Sequence, residues 1–209
     1  LPVQDGPLKG KKWSLATSIK FIKGKYVKRD TDVLTENVKK GETVYDIGAH
    51  VGYFSVLCSD IVGKQGRVYS FEPLPMNLLF LRKHIKINNC ENIKVFKTCI
   101  SDSISEEFFD NTQGSATGHL SPEGKLKVSV NTLDNLLNNG DIKPPDFIKI
   151  NAEGAEQSIL IGGMNCISKY KPKLLITFHT EELKDNCINI LSRYGYNIHY
   201  TAKDALYAE

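Results

Sequence analysis

An α/β fold built on a largely parallel sheet is predicted by three features of the sequence. An apolar strand, Val44-Tyr45-Asp46-Ile47, passes through a turn holding Gly48 and Gly52 and runs straight into an apolar helix. A second apolar strand, Arg67 to Phe71, ends in an acid, with Glu72 standing 26 residues after Asp46, about one strand–helix–strand unit. Strand-like and helix-like periodicities then alternate to the end of the chain. Parallel strands need crossover helices, so such a sheet is covered on both faces.

The elements follow in order. Residues 1–41 differ in texture and read as an N-terminal extension of short strands and a helix, packed on a core domain over 42–209. Lys9-Gly10-Lys11-Lys12-Trp13 and Lys23-Gly24-Lys25-Tyr26-Val27 set aromatic and β-branched residues beside turn glycines, which predicts short strands or a hairpin. Asp30 or Thr31 then caps a helix ending near Gly41. The strand over 43–47 leads to a helix from Gly52, with Phe54, Leu57 and Ile61 on one face. The strand over 67–72 leads to a helix from Pro75, where proline suits the first turn, with Leu78, Leu81 and Ile85 as its stripe. A strand over 93–97 follows the Asn88-Asn89 turn. Residues 102–131 break the rhythm and read as an inserted β-excursion, whose uncharged loop over 111–118 is a candidate lid. The alternation resumes with a helix over 133–137, a strand over 147–150, a helix over 156–161 and a strand over 173–178. A helix from Thr180 carries Leu183, Cys187, Ile190, Leu191 and Tyr194 in register. Residues 196–200 close the pattern, with a short last strand at 205–207.

Composition narrows the function. A chain of 209 residues suffices for one α/β domain with a full core and is short for two. Apolar residues at 41% and charged residues at 24% are ordinary for a globular protein. A net charge of +3 is too small to argue for nucleic acid or a membrane surface, and the lysines read as scattered. No apolar run reaches the length of a membrane span, and no signal-peptide pattern opens the chain. Five cysteines, widely spaced and without a CxxC pair, argue against a disulfide framework or zinc site and for a reducing, cytoplasmic setting. No metal is expected.

The two turns carry the chemistry. Glycines let the backbone turn sharply and approach a ligand, and the helix start offers free N–H groups. Asp46 before the first glycine would repel a pyrophosphate and suit an ammonium group. His50 occupies the second glycine of the dinucleotide fingerprint, which therefore fails. Glu72 stands where an acid meets ribose hydroxyls. Each acid taken singly could merely cap its turn. Together they fit a ligand with a cationic amino acid at one end and a ribose at the other, and S-adenosylmethionine is such a ligand.

These residues resemble the FkbM family of S-adenosylmethionine-dependent methyltransferases. Asp46-Ile47-Gly48-Ala49-His50-Val51-Gly52-Tyr53-Phe54 is similar to the family's DIGAN-x-G-Y opening, with His50 where Asn is usual. Phe71-Glu72-Pro73, Pro75 and Asn77 resemble its FEP-x-P-x-N segment, and Thr132-Leu133-Asp134 its TLD. Asp146-Phe147-Ile148-Lys149-Ile150-Asn151-Ala152-Glu153-Gly154-Ala155-Glu156 resembles DFIKIDVEGAE, the most specific piece. The likeness covers about residues 20–180, in order.

The resemblance implies a class I methyltransferase fold, a Rossmann-like three-layer sandwich whose seven-stranded, mostly parallel sheet has an antiparallel last strand. It implies O-methylation of a small-molecule, glycan or lipid acceptor. The Gly48–Gly52 turn, with Ala49 and His50, would hold the methionine moiety, Asp46 acting on it directly or through water, and Tyr53 and Phe54 would be cofactor-binding as well. Glu72 would bind the ribose hydroxyls, and Ser101 and Asp102 would lie along the adenine. Asn151 and Glu153 would flank the sulfonium end and the acceptor, and Pro73 and Asn77 also count among the cofactor-binding residues. Asn151 replaces the usual Asp and Thr177 a common Glu; an Asn neither takes a proton nor neutralises a cation.

Methyl transfer from a sulfonium is mainly a matter of alignment, and a hydroxyl acceptor gains from a base. Glu153 and His179, near carboxyl ends of central strands, are the candidates. His179 serves equally as a capping histidine beside Thr180, and Glu153 as a carboxylate favoured at a helix start. Two other functions stand beside the transferase: an inactive cofactor-binding or interaction domain, suggested by Asn151 and Thr177, and a nicotinamide-dependent dehydrogenase, opposed by Asp46 and His50.

Overall fold

A computed structural model describes residues 1–24, 26–112, 114 and 118–209. Two helices open the chain, α1 (Ile19–Ile22) and α2 (Lys28–Asn37). They are followed by β1 (Thr43–Ile47), α3 (Tyr53–Val62), β2 (Arg67–Phe71), α4 (Pro75–Ile87) and β3 (Ile93–Phe96). The excursion is β4 (Cys99–Ile100), β5 (Ser105–Asp110), β6 (His119–Leu120) and β7 (Leu126–Asn131). Then come α5 (Leu133–Asn138), β8 (Phe147–Ile150), α6 (Glu156–Gly162), α7 (Met164–Tyr170), β9 (Lys173–Thr177), α8 (Glu181–Arg193), β10 (Ile198–Ala202) and β11 (Ala205–Ala208).

The main sheet has seven strands in the order β10-β11-β9-β8-β1-β2-β3. β1 is parallel to β2 and β8, β8 to β9, and β2 to β3, while β11 runs antiparallel to both β9 and β10. Burial on both faces explains why these strands are mostly apolar, with Asp46, Ser70 and Lys149 as buried exceptions. Tyr45, Ile47, Ile148, Ile150, Leu174 and Ile176 face α5 to α8, whereas Val44, Val68, Phe147 and Leu175 face α3 and the N-terminal residues. The second sheet, β4-β7-β5-β6, packs Phe109, Val128 and Val130 against Leu74. The reversal of strand order between β1 and β8 opens a crevice at the carboxyl ends, where such sheets bind ligands.

Three details depart from the sequence reading. The glycine-flanked N-terminal segments form no paired strands among the described residues, only a single bridge between Pro2 and Lys12. Their apolar residues are used one by one: Val3, Leu8, Trp13, Phe21 and Ile22 are buried with Val56 and Leu57 of α3. Asp30 and Thr31 do not cap α2 but lie buried within it, and Val27 takes the cap position with a left-handed backbone. Helix α7, which the sequence reading lacks, follows directly on α6, with Gly163 ending one helix and starting the next. Half of the candidate lid over 111–118, residues 113 and 115–117, lies outside the described residues.

Candidate functional site

The turn after β1 is built by close backbone approach. Gly48 has φ +73°, and a Cβ there would lie 1.9 Å from the Asn151 carbonyl oxygen, so no side chain fits. The N–H groups of Gly48 and Ala49 donate to the Phe71 carbonyl at 3.1 and 3.0 Å, binding the turn to the end of β2. Gly52, with φ +92°, starts α3 against Leu81. His50 is also left-handed, φ 50°, and its N–H donates to Glu72 Oε2 at 2.8 Å.

Glu72 is buried, and its Oε1 accepts from the Leu74 N–H at 2.9 Å and from Asn77 Nδ2 at 3.2 Å. Burial pushes its carboxyl up from the ordinary value, against the pull of these donors. A carboxylate offers about four acceptor positions, so one stays open for a ligand hydroxyl. The His50 imidazole is held at a pKa of about 4, first by burial and then by the nearby Lys149 cation. It is neutral at pH 7.

β8 delivers a buried ammonium. Lys149 Nζ lies 3.0 Å from Asp46 Oδ1 and donates to the carbonyls of Gly48 at 2.9 Å and Ile47 at 3.3 Å, with Phe54 5.4 Å beneath it. Asp46 Oδ2 accepts from Ser55 Oγ at 2.6 Å. A buried charge is tolerable only when paired and hydrogen-bonded, and here both partners are. The pair pins the glycine turn from below.

Beyond β8 the chain turns through two left-handed residues, Glu153 with φ 49° and Gly154 with φ 103°. His179, just past β9, sits between two acids, with Nε2 3.1 Å from Glu153 Oε1 and Nδ1 2.9 Å from Glu156 Oε1. Glu156 is fully buried and also accepts from the N–H groups of Ala152 and Gly154, both at 3.2 Å. The Glu153 and Glu156 hydrogen bonds raise the His179 pKa to about 10. At neutral pH it is an imidazolium without a lone pair to take a proton.

These elements enclose a cavity of about 490 Å³ at the carboxyl ends of the strands. Gly48, Ala49, His50, Tyr53, Phe54, Glu72, Pro73, Ser101, Asn151 and Glu153 all lie on its wall. Asp46, Gly52, Asn77 and His179 stand behind that wall, each holding a residue or helix that lines it, while Asp102 is exposed and reached by Ser101 Oγ at 3.3 Å. Cys99 also lines the cavity, but burial pushes its thiol up to about 12 and removes it as a nucleophile.

Residues 46–198 match the Methyltransferase FkbM domain. The chain belongs to the FkbM methyltransferase family. It is 23% identical over 137 residues to the Hexuronic acid methyltransferase AglP of Haloferax volcanii, an alignment covering 65% of this chain and 55% of that protein. The chain thus spans about half the length of the curated relative it matches. Among solved structures it resembles an FkbM methyltransferase from Methylobacillus flagellatus, with TM-score 0.59 and 25% identity over 80% of this chain and 43% of the other. It also has the fold of Aeropyrum pernix fibrillarin, crystallised with natively bound S-adenosyl-L-methionine, with TM-score 0.57 and 16% identity over 87% of this chain and 74% of the other.

The family match begins at Asp46, and the cavity does not. Phe21 and Tyr26 come from upstream and form an aromatic wall, with ring centroids 4.4 Å apart and Tyr26 5.2 Å from Tyr53. The excursion adds Phe109 and Leu120. Sequence reasoning assigned no role to these four or to Lys149. A lysine inside the otherwise apolar run Phe147–Ile150 was the one available signal, since a charge in a strand buried on both faces must have a partner.

Proposed function

We propose that this chain is an S-adenosylmethionine-dependent O-methyltransferase acting on a hydroxyl of a glycan, lipid or other small acceptor. The observation that carries the reading is the pair of carboxylates on one cavity wall, Glu72 on one side of the glycine turn and Glu153 on the other. The residues fit the cofactor. Glu72 keeps one acceptor position for a ribose hydroxyl, the cavity volume lies in the usual range of about 300–1,000 Å³ for ligand pockets, and Asn151 Oδ1 is buried without a hydrogen-bond partner among the described residues. When bound, S-adenosylmethionine supplies an electrophilic methyl group on a sulfonium.

The chain's own residues do the rest. Lys149 and Asp46 would hold the Gly48 turn against the methionine end, with Lys149 offering positive charge to its carboxylate. Ser101 would lie along the adenine. Glu153 would accept the acceptor hydroxyl's proton, and His179 would position it, since an imidazolium cannot itself be the base. The aromatic wall of Phe21 and Tyr26 would exclude water from the transfer. The relative named for hexuronic acid makes uronate-bearing glycosides the first acceptors to screen, and the five unpaired cysteines keep a reducing, cytoplasmic setting within the proposal.

Thermal unfolding with S-adenosylmethionine, S-adenosylhomocysteine or NADH, each added separately, tests the cofactor. A ligand at a hundred times its Kd stabilises the fold by about 2.7 kcal/mol. Stabilisation by both sulfur ligands, lost in Glu72→Ala, is expected; stabilisation by NADH alone would overturn the reading.

A further inference from the structure

The fold packs together two basic stretches that lie far apart in the sequence. Residues 6–29 and 73–90 together hold eleven of the chain's 27 basic residues and none of its 24 acidic ones. The stretches pack on each other. Trp13 stacks on His84 of α4 with centroids 3.8 Å apart, and the Ser14 N–H donates to His84 Nε2 at 3.1 Å. Asn88 accepts from the Lys12 N–H at 2.8 Å and donates to the Lys12 carbonyl at 2.9 Å. Lys83 Nζ reaches Ser14 Oγ at 3.5 Å. Lys12, Lys20, Lys23, Arg82, Lys83 and Lys86 are all exposed, and none makes an ion pair with a described residue.

Large apolar side chains stand among them. Leu15, Ile19, Met76 and Leu79 are 62%, 59%, 59% and 60% exposed. On α4 the spacing of Met76, Leu79, Lys83 and Lys86 puts all four on one helix face, apolar towards its N-terminus and basic towards its C-terminus. The apolar end adjoins the cavity. Phe21, two residues after Ile19, and Leu74, two residues before Met76, both line it.

Unpaired cations alone would suit any polyanion. Exposed Ile, Leu and Met beside them gain nothing from a polyanion in water, but they enter the headgroup–acyl boundary of a bilayer while the lysines meet its anionic headgroups. We propose that this face docks the protein reversibly on an anionic membrane surface, with the cavity held beside the lipid. The proposed contact is peripheral, made by side chains at the surface; among the described residues no helix is long and apolar enough to cross a membrane.

Co-sedimentation with vesicles tests this, using phosphatidylcholine alone or mixed with phosphatidylglycerol. The full chain should bind the mixed vesicles at low salt and not the neutral ones. Lys20→Glu/Lys23→Glu and Met76→Ser/Leu79→Ser should each weaken partitioning by about tenfold or more, given about 1 kcal/mol per basic residue near the surface and a similar gain per buried methylene. All four positions are exposed, so both variants should melt within a few degrees of the parent. Binding to neither vesicle overturns the proposal, as does binding that ignores the charge reversals. Binding unchanged by the serine pair and displaced by heparin overturns it in favour of a polyanion site.

Discussion

Two histidines, His50 on the cavity wall and His179 behind it, give stability opposite dependences on pH. His179 titrates at about 10 in the fold against about 6.5 when unfolded. Its contribution is therefore complete below pH 6.5 and is lost as pH rises through 10. His50 titrates at about 4 in the fold, so the unfolded chain binds its proton first, and stability present above pH 6.5 is lost as pH falls through 4. Melting temperature against pH should slope downward on both sides; His179→Gln should flatten the alkaline limb and His50→Asn the acid limb. Unchanged limbs in both variants would sink this assignment. Gly48→Ala should cost at least the ~1–3 kcal/mol of a strained backbone conformation, because its Cβ meets a carbonyl rather than a pliable side chain, and should abolish S-adenosylhomocysteine binding in calorimetry. At this scale the glycines and terminal acids were legible because a backbone turn and a polar ligand each demand a residue type. The pairing of Asp46 with Lys149, and of His179 with Glu156, was not, since neither partner is close enough in the chain for spacing to reveal it.

Helices and strands were legible where one physical demand dominated. The seven main strands are short apolar or alternating runs bounded by turns, and α8 begins where expected, with Thr180 Oγ1 accepting the Leu183 N–H at 3.1 Å. The N-terminal residues misled because Trp13, Phe21 and Tyr26 are apolar for tertiary reasons, to cover α3 and line the cavity, and not to pair as strands. Helix α7 escaped because its cap comes from another element. Asp134 on α5 accepts the N–H groups of Asn165 at 3.0 Å and Cys166 at 2.8 Å, closing the first turn of α7 across the loop. This explains the acid of Thr132-Leu133-Asp134 without any part in chemistry. Asp134→Ala should destabilise the protein by about 1–2 kcal/mol in urea unfolding, with cofactor affinity intact. A loss of affinity with no loss of stability would instead put Asp134 in the site.

At the scale of the whole molecule the open matter is whether the first forty residues form part of one cooperative unit. Val3, Leu8, Trp13, Phe21 and Ile22 are each no more than 3% exposed, and they bury the same faces of Val56 and Leu57 that would otherwise meet water. Burying side chains of this kind is worth about 1.5–3 kcal/mol each, so five of them exceed what a detachable flap would hold. We propose that extension and sheet unfold together. Trp13 is the sole tryptophan, is 1% exposed, and lies stacked on His84 of α4, which makes its fluorescence a reporter of the extension's seating on the core. Far-UV circular dichroism reports the whole chain. In urea the two transitions should coincide, as two-state unfolding requires. Because Phe21 and Tyr26 line the cavity, S-adenosylhomocysteine should move both midpoints together. If the fluorescence transition comes first, the extension melts as a separate flap over the site, and its aromatic wall then belongs to an opening and closing step.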